Sequence, residues 1–569
     1  MSRPIIGPTG HWGILSARDD SRRGRVQIET RNRWFTLRRC GPAALAVLAC
    51  LMVASTWHVF GNVWDEPEHI AAGLSLIDQG DYRYDNQHPP LARLAAALGP
   101  QLAGARLPAD ASTSGEQAGR DILYHSGASY DTLLTLARAG MLPFLLLLVI
   151  AQWYWVRENF GEPVAWFSAL FLLCTPPILG HAGVVALDVP VTALCVLGFW
   201  LLQRWVVAPT LRRSVALGVA AGLAVSTKIS AIPFLALSGL VMLAAQLLLN
   251  RSAARGAAIG RVATGRDLLA GLMRYGLGAL LAILLAIVIC IAAYGPTLVQ
   301  MPGVSMRVPL GVQEFTLNIR GVEFHNAHGH PAYLLGETGL MGWWYFYPVA
   351  LAVKTPIPML LLGVPGLAWL TLRGWRAREL DLAVPGLLFA TLLVFCCLYS
   401  HINIGVRHVL VLYPLLAIGA GAAALALWKN LGAPLARALA AVLVLWQLST
   451  LLTAYPDYLA WFNALAGAHP EHILVDSDLD WGQDLRRLTQ ELARRQVPEV
   501  YIAYRGSADL TREHLPPYKL LAPNQHVTGW IALDMLSLKE SNDGYDWLQG
   551  YQPLQRIGKS IDLYYLPTR

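Results

Sequence analysis

The sequence predicts a polytopic α-helical membrane protein of about eleven transmembrane helices, with a small α/β domain after the last of them. Hydrophobic residues make up 55% of the 569 positions and charged residues only 14%, which is far from the balance of a soluble domain. Apolar runs long enough to cross a bilayer recur between residues 41 and 454, whereas residues 455–569 have a mixed composition.

The first predicted span, residues 41–61, is too long and too far from the N-terminus to be a signal peptide. The apolar stretch between Arg213 and Arg251 is too long for one helix across roughly 30 Å of hydrocarbon, so it predicts two helices joined by the sequence STKIS. The remaining predicted spans are residues 139–156, 163–181, 186–207, 276–296, 346–370, 383–399, 409–428 and 438–454.

The distribution of basic residues predicts the orientation. Residues 1–40 contain nine Arg and three acidic residues, and the other loops rich in Arg and Lys fall on the same side. By the positive-inside trend, this side is cytoplasmic. Residues 1–40 are therefore a predicted cytoplasmic basic N-terminus, and residues 41–454 are the transmembrane domain. The loops 62–137 and 297–345 and the segment 455–569 are predicted to lie outside the cytoplasm.

The net charge of +7 does not predict a nucleic-acid partner, because the basic residues lie mainly in short loops between apolar runs. The seven cysteines lie in or beside apolar runs, so no disulfide framework is expected. Neither the net charge nor the cysteine content therefore contradicts the prediction of a membrane protein.

The C-terminal segment predicts an α/β domain. Its apolar runs HILVD, VYIAY, GWIALDML and SIDLYYL are typical of strands, and an amphipathic helix follows the first of them. The acidic motif DSDLDWGQDL (476–485) predicts a turn into that helix, with Asp480 and Asp484 near the positive end of the helix dipole. Trp481 is a candidate stacking platform for a sugar.

Charged residues near the outer ends of the spans are functional candidates, because ionisable groups are costly at membrane depth. Acids come from two of these segments and bases from the others. The segments are WDEPEH (64–69), DNQHPPLAR (85–93), HAGVVALDVP (181–190), STKIS (226–230), AVKTPIP (352–358) and SHINIGVRH (400–408).

This mixture of acids and bases suits the transfer of an activated sugar from a lipid phosphate. The leaving phosphate is already anionic, so it needs cations rather than a general acid. The acceptor is a neutral hydroxyl or amine, so it needs a carboxylate to take its proton. The candidate bases are Asp65 and Asp188. The candidate cations are Lys228, Lys354, Arg407 and Arg93.

The motifs WDE, HPPL, ALDVP, KTPIP and NIGVRH together resemble those of the membrane-embedded GT-C glycosyltransferases, over residues 41–454. The similarity is to the protein O-mannosyltransferases and their bacterial relatives that use a phospholipid carrier, including the lipid A aminoarabinose transferases. The resemblance implies a polyprenyl-phosphate sugar donor, an outer-face active site and inverting displacement at the anomeric carbon. The C-terminal segment departs from the protein O-mannosyltransferases, so a protein acceptor is not implied.

The resemblance also implies residue roles. Asp65 is the expected base with Glu66 beside it, Asp188 positions acceptor or base, and His88 and His408 belong to the substrate site. No cofactor is expected. A divalent metal held by His401 and His408 with the two acids is a minor alternative, since their spacing matches no known ligand pattern.

Each residue also has a structural alternative. Asp65, Glu68 and Asp188 suit helix N-termini, HPPL suits a rigid turn, and the cations suit span ends that anchor in the interface. For the whole chain, the alternative function is a transporter or flippase of a lipid-linked saccharide. The expected partners are the lipid-linked sugar, a cell-envelope acceptor and membrane lipids, in the bacterial plasma membrane.

Overall fold

The structure, a computed structural model, describes residues 41–84, 87–108, 111–256, 265–430, 434–540, 544–548 and 550–567. The predicted basic N-terminus, residues 1–40, lies outside the described residues. The helices are α1 (Gly41–Ala54), α2 (Glu66–Gln79), α3 (Leu91–Leu102), α4 (Gly115–His125), α5 (Tyr130–Ala139), α6 (Leu142–Phe160), α7 (Glu162–Leu173), α8 (Pro176–Ala182), α9 (Asp188–Val207), α10 (Leu211–Val225), α11 (Ala231–Gly256), α12 (Gly265–Ala292), α13 (Leu310–His328), α14 (Phe346–Lys354), α15 (Ile357–Ala377), α16 (Leu380–Tyr399), α17 (Leu412–Asn430), α18 (Pro434–Ala454), α19 (Leu485–Arg494) and α20 (Met535–Glu540). The strands are β1 (Leu298–Gln300), β2 (Arg307–Pro309), β3 (Ala332–Leu334), β4 (Glu337–Gly339), β5 (Val500–Ala503), β6 (Tyr518–Leu520), β7 (Gly529–Asp534), β8 (Gln555–Ile557) and β9 (Ile561–Leu566).

The structure confirms the predicted class, a polytopic helical membrane protein with a small C-terminal α/β region. Among the described residues, eight helices are long and apolar enough to cross a membrane, or nine if α7 and α8, bent by 65°, form one span. The predicted number of eleven also counts the short apolar helix α1 and the fifteen-residue α10, so that number stays a prediction.

One predicted span is broken. Residues 346–370 form two helices, because α14 ends at Lys354 and α15 starts at Ile357. Thr355 and Pro356 between them have extended backbone, with ψ values of 136° and 131°. Pro356 has no N–H to donate to a helix and pushes the residue before it towards extended conformations. This break sets Lys354 at the end of a short helix.

Helices α15 and α17 approach closely through glycine. A Cβ added to Gly366 would lie 2.1 Å from the carbonyl oxygen of Gly419, and one added to Gly419 would lie 2.4 Å from that of Gly363. Small residues allow such backbone contact between membrane helices, where packing replaces the hydrophobic effect as the driving force. This contact belongs to the main buried core, which also includes α6, α7 and α9.

The described parts of three long hydrophilic segments, residues 61–129, 293–345 and 455–567, meet on one face of the molecule, which we call the loop face. Asn62 donates to the Ser507 hydroxyl at 2.9 Å, and the Leu335 N–H donates to the Ile473 carbonyl at 3.0 Å. Between the first two segments, the His325 ring nitrogen Nδ1 lies 3.0 Å from the amide oxygen of Gln87. These contacts bring the three segments together, as expected if they share one side of the membrane, and the side they share stays a prediction.

The C-terminal region contains a five-stranded sheet in the order β6-β5-β7-β9-β8. Strand β5 is parallel to β6 and β7, whereas β9 is antiparallel to β7 and β8. Leu485, Leu488 and Leu492 of α19 pack against one side of this sheet. The predicted strands in VYIAY, GWIALDML and SIDLYYL are confirmed.

The predicted strand at HILVD is wrong. Within the described residues, 3-10 turns at Pro470–His472 and Asp476–Asp478 take its place. Its apolar residues Leu474 and Val475 are buried in cores formed with other segments, so burial rather than sheet pairing explains their hydrophobicity.

Candidate active site

Asp65 lies at the turn into α2 and forms an ion pair. It has helical backbone angles, φ −79° and ψ −18°, and its side chain makes no capping hydrogen bond. Instead its Oδ2 accepts a hydrogen bond from Nη1 of Arg407 at 2.7 Å. The Asp65 side chain is 25% exposed, so a second molecule can reach it. The alternative in which Asp65 caps α2 is therefore wrong.

Arg407 belongs to a 3-10 turn, Val406–Val409, that follows Gly405. Its guanidinium carbon lies 4.3 Å above the ring centroid of Trp481, and its Nε is buried without a partner among the described residues. Burial acts to lower the pKa of Arg407, but the carboxylates of Asp65, Asp188 and Asp476 outweigh it and raise the pKa above its usual value. Arg407 is therefore a permanent cation, and its Nε–H remains available as a hydrogen-bond donor.

Asp188 and Lys228 form a second ion pair. Asp188 is the first residue of α9, and Lys228 lies in the STKIS turn between α10 and α11. The Lys228 ammonium donates to the Asp188 carboxylate at 2.6 Å. The side chain of Asp188 is 3% exposed and that of Lys228 13%. The short connection between α10 and α11 thus places Lys228 beside the buried carboxylate of Asp188.

Two histidines lie close to the charged groups of the ion pairs. Burial, with the charges of Lys228 and Arg407, lowers the pKa of His408 well below its usual value, against the opposing effect of Asp188. Burial and the same three charged groups set the pKa of His88 to about 3. Both rings are therefore neutral at neutral pH, and both lie within the field of the two ion pairs. His88 Nδ1 is buried and unpartnered among the described residues.

Glu66 points away from Asp65. Its carboxylate accepts hydrogen bonds from Nε and Nη2 of Arg138, both at 2.8 Å, and from the backbone N–H groups of Val63 at 2.9 Å and Val185 at 2.8 Å. The side chains of Glu66 and Arg138 are 0% and 1% exposed. The prediction of Glu66 as a partner of the base is therefore corrected: it is held in a buried structural ion pair.

The N-terminal contacts of α2 also correct the expectation for Glu68. The side chain that reaches back to the chain before α2 is that of Glu66, through the Val63 N–H. Burial raises the pKa of Glu68, against the opposing charge of Arg93. Glu68 is thus a half-buried acid rather than the capping residue.

Two of the four predicted phosphate-binding cations are engaged elsewhere. The Lys354 ammonium donates to the carbonyl oxygens of Leu459 at 2.8 Å and Asp478 at 2.6 Å, and its side chain is 1% exposed. The Arg93 guanidinium is fully buried inside the first loop, where its Nε lies 3.2 Å from His69 Nδ1 and its Nη1 donates to Tyr82 at 2.7 Å. Their position corrects the expectation that they bind the donor phosphate.

Several site residues were missed from the sequence. Arg138 is a basic residue at the loop-face end of a span, as Lys228 is, so its position gave a usable signal. Asp478 was not singled out and the contact of Trp481 with Arg407 was not predicted, because both depend on how the C-terminal region folds back. Trp481 is only 3% exposed and stacks on Arg407, which corrects its prediction as an open sugar platform.

The minor alternative of a metal site has no geometric support. Among the described residues, no group of three or more His, Cys, Asp and Glu side chains is arranged to hold a metal ion. His401 Nδ1 lies 3.0 Å from the Asn326 carbonyl oxygen, and His408 Nδ1 lies 3.1 Å from that of Ile402. These two rings are thus engaged with backbone carbonyl groups.

Residues 45–295 match the family model described as dolichyl-phosphate-mannose-protein mannosyltransferase. The match confirms the resemblance to GT-C membrane glycosyltransferases. It runs from α1 to the segment after α12 and covers somewhat less than half of the chain. Asp65, Asp188 and Lys228 fall inside the matched region, and Arg407 and Trp481 fall outside it.

Three solved structures are similar at low sequence identity. The first, ArnT from Cupriavidus metallidurans bound to undecaprenyl phosphate, is 16% identical with a TM-score of 0.46, over 92% of this chain and 98% of that chain. AglB, the archaeal oligosaccharyltransferase from Archaeoglobus fulgidus in complex with an inhibitory peptide and a dolichol-phosphate, is 12% identical with a TM-score of 0.45, over 91% and 73%. Arabinosyltransferase EmbB from Mycobacterium smegmatis is 15% identical with a TM-score of 0.35, over 72% and 37%. A search of the curated proteins found no match.

Proposed function

We propose that the protein transfers a sugar from a polyprenyl-phosphate donor to an acceptor at the loop face. The observation that carries this proposal is that two carboxylate–cation pairs, Asp65–Arg407 and Asp188–Lys228, lie close enough for the Asp188 carboxylate to raise the pKa of Arg407 as Asp65 does. Three of these four residues lie in the region that matches the mannosyltransferase family. The pairs combine a base for the acceptor with cations for a phosphate.

The donor phosphate binds to Lys228 and Arg407. Among the described residues, Asp188 is the only hydrogen-bond partner of the Lys228 ammonium, which has three N–H donors. Nε of Arg407 likewise has no hydrogen-bond partner in the part of the chain that the structure describes. When the bond between the anomeric carbon and the phosphate oxygen breaks, the electron pair stays on the phosphate and adds one negative charge. Cations already in place stabilise that charge without reorganising.

Asp65 takes the proton of the acceptor. The hydrogen bond from Arg407 uses Oδ2 of Asp65, so Oδ1 is available to an acceptor hydroxyl or amine. The acceptor atom attacks the anomeric carbon from the side opposite the phosphate, its proton passes to Asp65, and the configuration inverts. Asp188 holds Lys228 in place, and the neutral rings of His88 and His408 supply hydrogen-bonding groups to the substrate.

The cellular setting follows from charge and chemistry. The Arg-rich N-terminus favours a cytoplasmic start, so we propose that the loop face is extracytoplasmic in a bacterial plasma membrane. A donor on a polyprenyl phosphate and a site at the membrane surface both favour a cell-envelope acceptor. The reaction proposed here requires no cofactor, because Lys228 and Arg407 supply the positive charge that the leaving phosphate needs.

The test supplies purified protein with a panel of polyprenyl-phosphate sugars and envelope acceptors and measures release of the lipid phosphate. We expect Asp65→Asn to abolish transfer while the protein stays folded. Asp457→Asn is the matched control, because Asp457 also pairs with an arginine on the loop face, at 2.6 Å and with 17% exposure.

Two results would contradict the proposal: no donor is turned over by the wild type, or Asp65→Asn transfers at the wild-type rate. Movement of an intact donor across vesicles without release of lipid phosphate would favour the transporter alternative.

A further inference from the structure

Arg407 also has a contact from the C-terminal region. Trp481, within the acidic motif DSDLDWGQDL, places its ring 4.3 Å from the guanidinium carbon. The same ring meets His181 edge-on, with centroids 5.8 Å apart. A cation over an aromatic face is attracted by the ring quadrupole, and the attraction is larger when both are desolvated. The ring therefore fixes the plane and height of the guanidinium.

The motif also holds the backbone that carries Arg407. The Asp478 carboxylate accepts from the Val406 N–H, with both oxygens at 3.1–3.2 Å, and the Ser477 hydroxyl donates to the Ile404 carbonyl. Gly405 between them has φ 142°, and a Cβ there would lie 2.3 Å from the Ser477 hydroxyl oxygen. The turn before Arg407 is thus shaped to receive this motif.

The same motif also binds the segment before α2, which carries Asp65. The Trp64 N–H donates to the Trp481 carbonyl at 3.0 Å, and the Gly61 N–H donates to the Gln483 carbonyl at 3.1 Å. One short segment therefore bonds to the neighbours of both members of the Asp65–Arg407 pair. Its fold sets the separation of the acid and the cation.

These contacts are more specific than attachment of a domain requires. Apolar packing alone would hold the C-terminal region on the membrane helices, whereas Asp478 is a buried acid 1% exposed, and buried acids are costly unless bonded. Its bonds go to the backbone one residue before Arg407. The cost of burying Asp478 is explained if this carboxylate serves to fix the position of Arg407.

We propose that residues 476–483 are a positioning element of the transfer site, in which Trp481 orients the Arg407 guanidinium and Asp478 fixes the turn that carries it. This inference rests on the proposed function, since it assigns Arg407 to the donor phosphate. Trp481 and Asp478 act through Arg407 and are positioning residues. The donor phosphate is bound productively only when the C-terminal region is seated on the loop face.

The test measures kcat and the KM values of donor and acceptor separately for the full-length protein. We expect Trp481→Leu to raise the donor KM by roughly 2- to 30-fold, the range of a cation–π contact, with the acceptor KM unchanged. Trp481→Phe keeps an aromatic face and should restore most of the loss. Asp478→Asn, a milder change that keeps one acceptor oxygen, should also raise the donor KM.

Asp484→Asn is the matched control. Asp484 is in the same motif and equally buried, but its carboxylate accepts from Lys559 and Ser560 within the C-terminal region. We expect it to lower thermal stability and leave the donor KM unchanged.

The inference is overturned if folded Trp481→Leu and Asp478→Asn both keep the wild-type donor KM, or if Asp484→Asn raises it as much as they do. Failure of the wild type to use any donor would instead refute the proposed function.

Discussion

The buried pair of Glu66 and Arg138 gives the sharpest test of which acids serve structure. Changing Glu66 to Gln removes the charge that compensates Arg138, and both side chains are almost fully buried. Breaking a buried ion pair by removing one partner costs about 3–5 kcal/mol, because the other charge stays buried and unpaired. The amide that replaces the carboxylate also places an NH₂ donor among four N–H groups, all of which donate hydrogen bonds to Glu66 in the wild type.

The double variant Glu66→Gln with Arg138→Met removes the uncompensated charge. Its remaining cost is mainly the loss of hydrogen bonds, each with a net value of about 1 kcal/mol. We therefore expect its free energy of unfolding to exceed that of Glu66→Gln by roughly 2 kcal/mol. The assay is unfolding in detergent micelles followed by tryptophan fluorescence, with sugar transfer measured on the folded fraction. We expect the double variant to regain both stability and transfer.

Two outcomes would refute this reasoning. If Glu66→Gln is as stable as the wild type, the pair is not a charged buried pair of the kind described. If the double variant is stable but inactive, the Glu66–Arg138 pair takes part in the reaction and is not purely structural.

Three other predictions follow from described contacts. Lys228→Met should raise the donor KM by about tenfold or more, as expected for loss of a charged hydrogen bond of about 1.5–3 kcal/mol. Lys228→Arg keeps the charge and should raise the donor KM less. Equal donor KM values for Lys228→Met and the wild type would contradict the assignment. Gly366→Ala should reduce the yield of folded protein because its Cβ would meet a carbonyl oxygen at 2.1 Å, whereas Gly276→Ala, in a helix with open space, should not. Burial, aided by nearby carboxylates, raises the pKa of Glu540 from 4.5 to about 7 despite Arg505. The stability it contributes is present below pH 4.5 and lost as pH rises through 7, so the free energy of unfolding should fall by about 2–3 kcal/mol between pH 5 and 8, and Glu540→Gln should remove that part of the dependence.

The sequence predicted the membrane helices because their length and apolarity are local properties. It predicted the α10–α11 pair for the same reason, since one stretch was too long for one crossing. The break at Thr355 and Pro356 was missed because the proline lies in an apolar run that reads as one span. The strand predicted at HILVD failed because burial and strand formation favour the same apolar residues.

The candidate site was predicted as a set of residue types, and its pairing was not. Asp65 and Arg407 are 342 positions apart, and Asp188 and Lys228 are 40 positions apart, so no local pattern matches one to the other. The same limit explains why Lys354 was assigned to the donor. Its position beside an apolar run resembled that of Lys228, and only the folded chain shows that two carbonyl groups occupy its ammonium.

The contacts of residues 476–483 have a consequence for the assembly of the protein. This segment is translated after α18, so every membrane helix is already synthesised before Trp481 exists. Until it reaches the loop face, Arg407 lacks its aromatic neighbour and Lys354 lacks the Asp478 carbonyl as a partner. A chain cut short after α18 would insert into the membrane with two exposed cations and an unfinished site, so a nascent or clipped copy should hold its lipid substrate poorly and consume none of it.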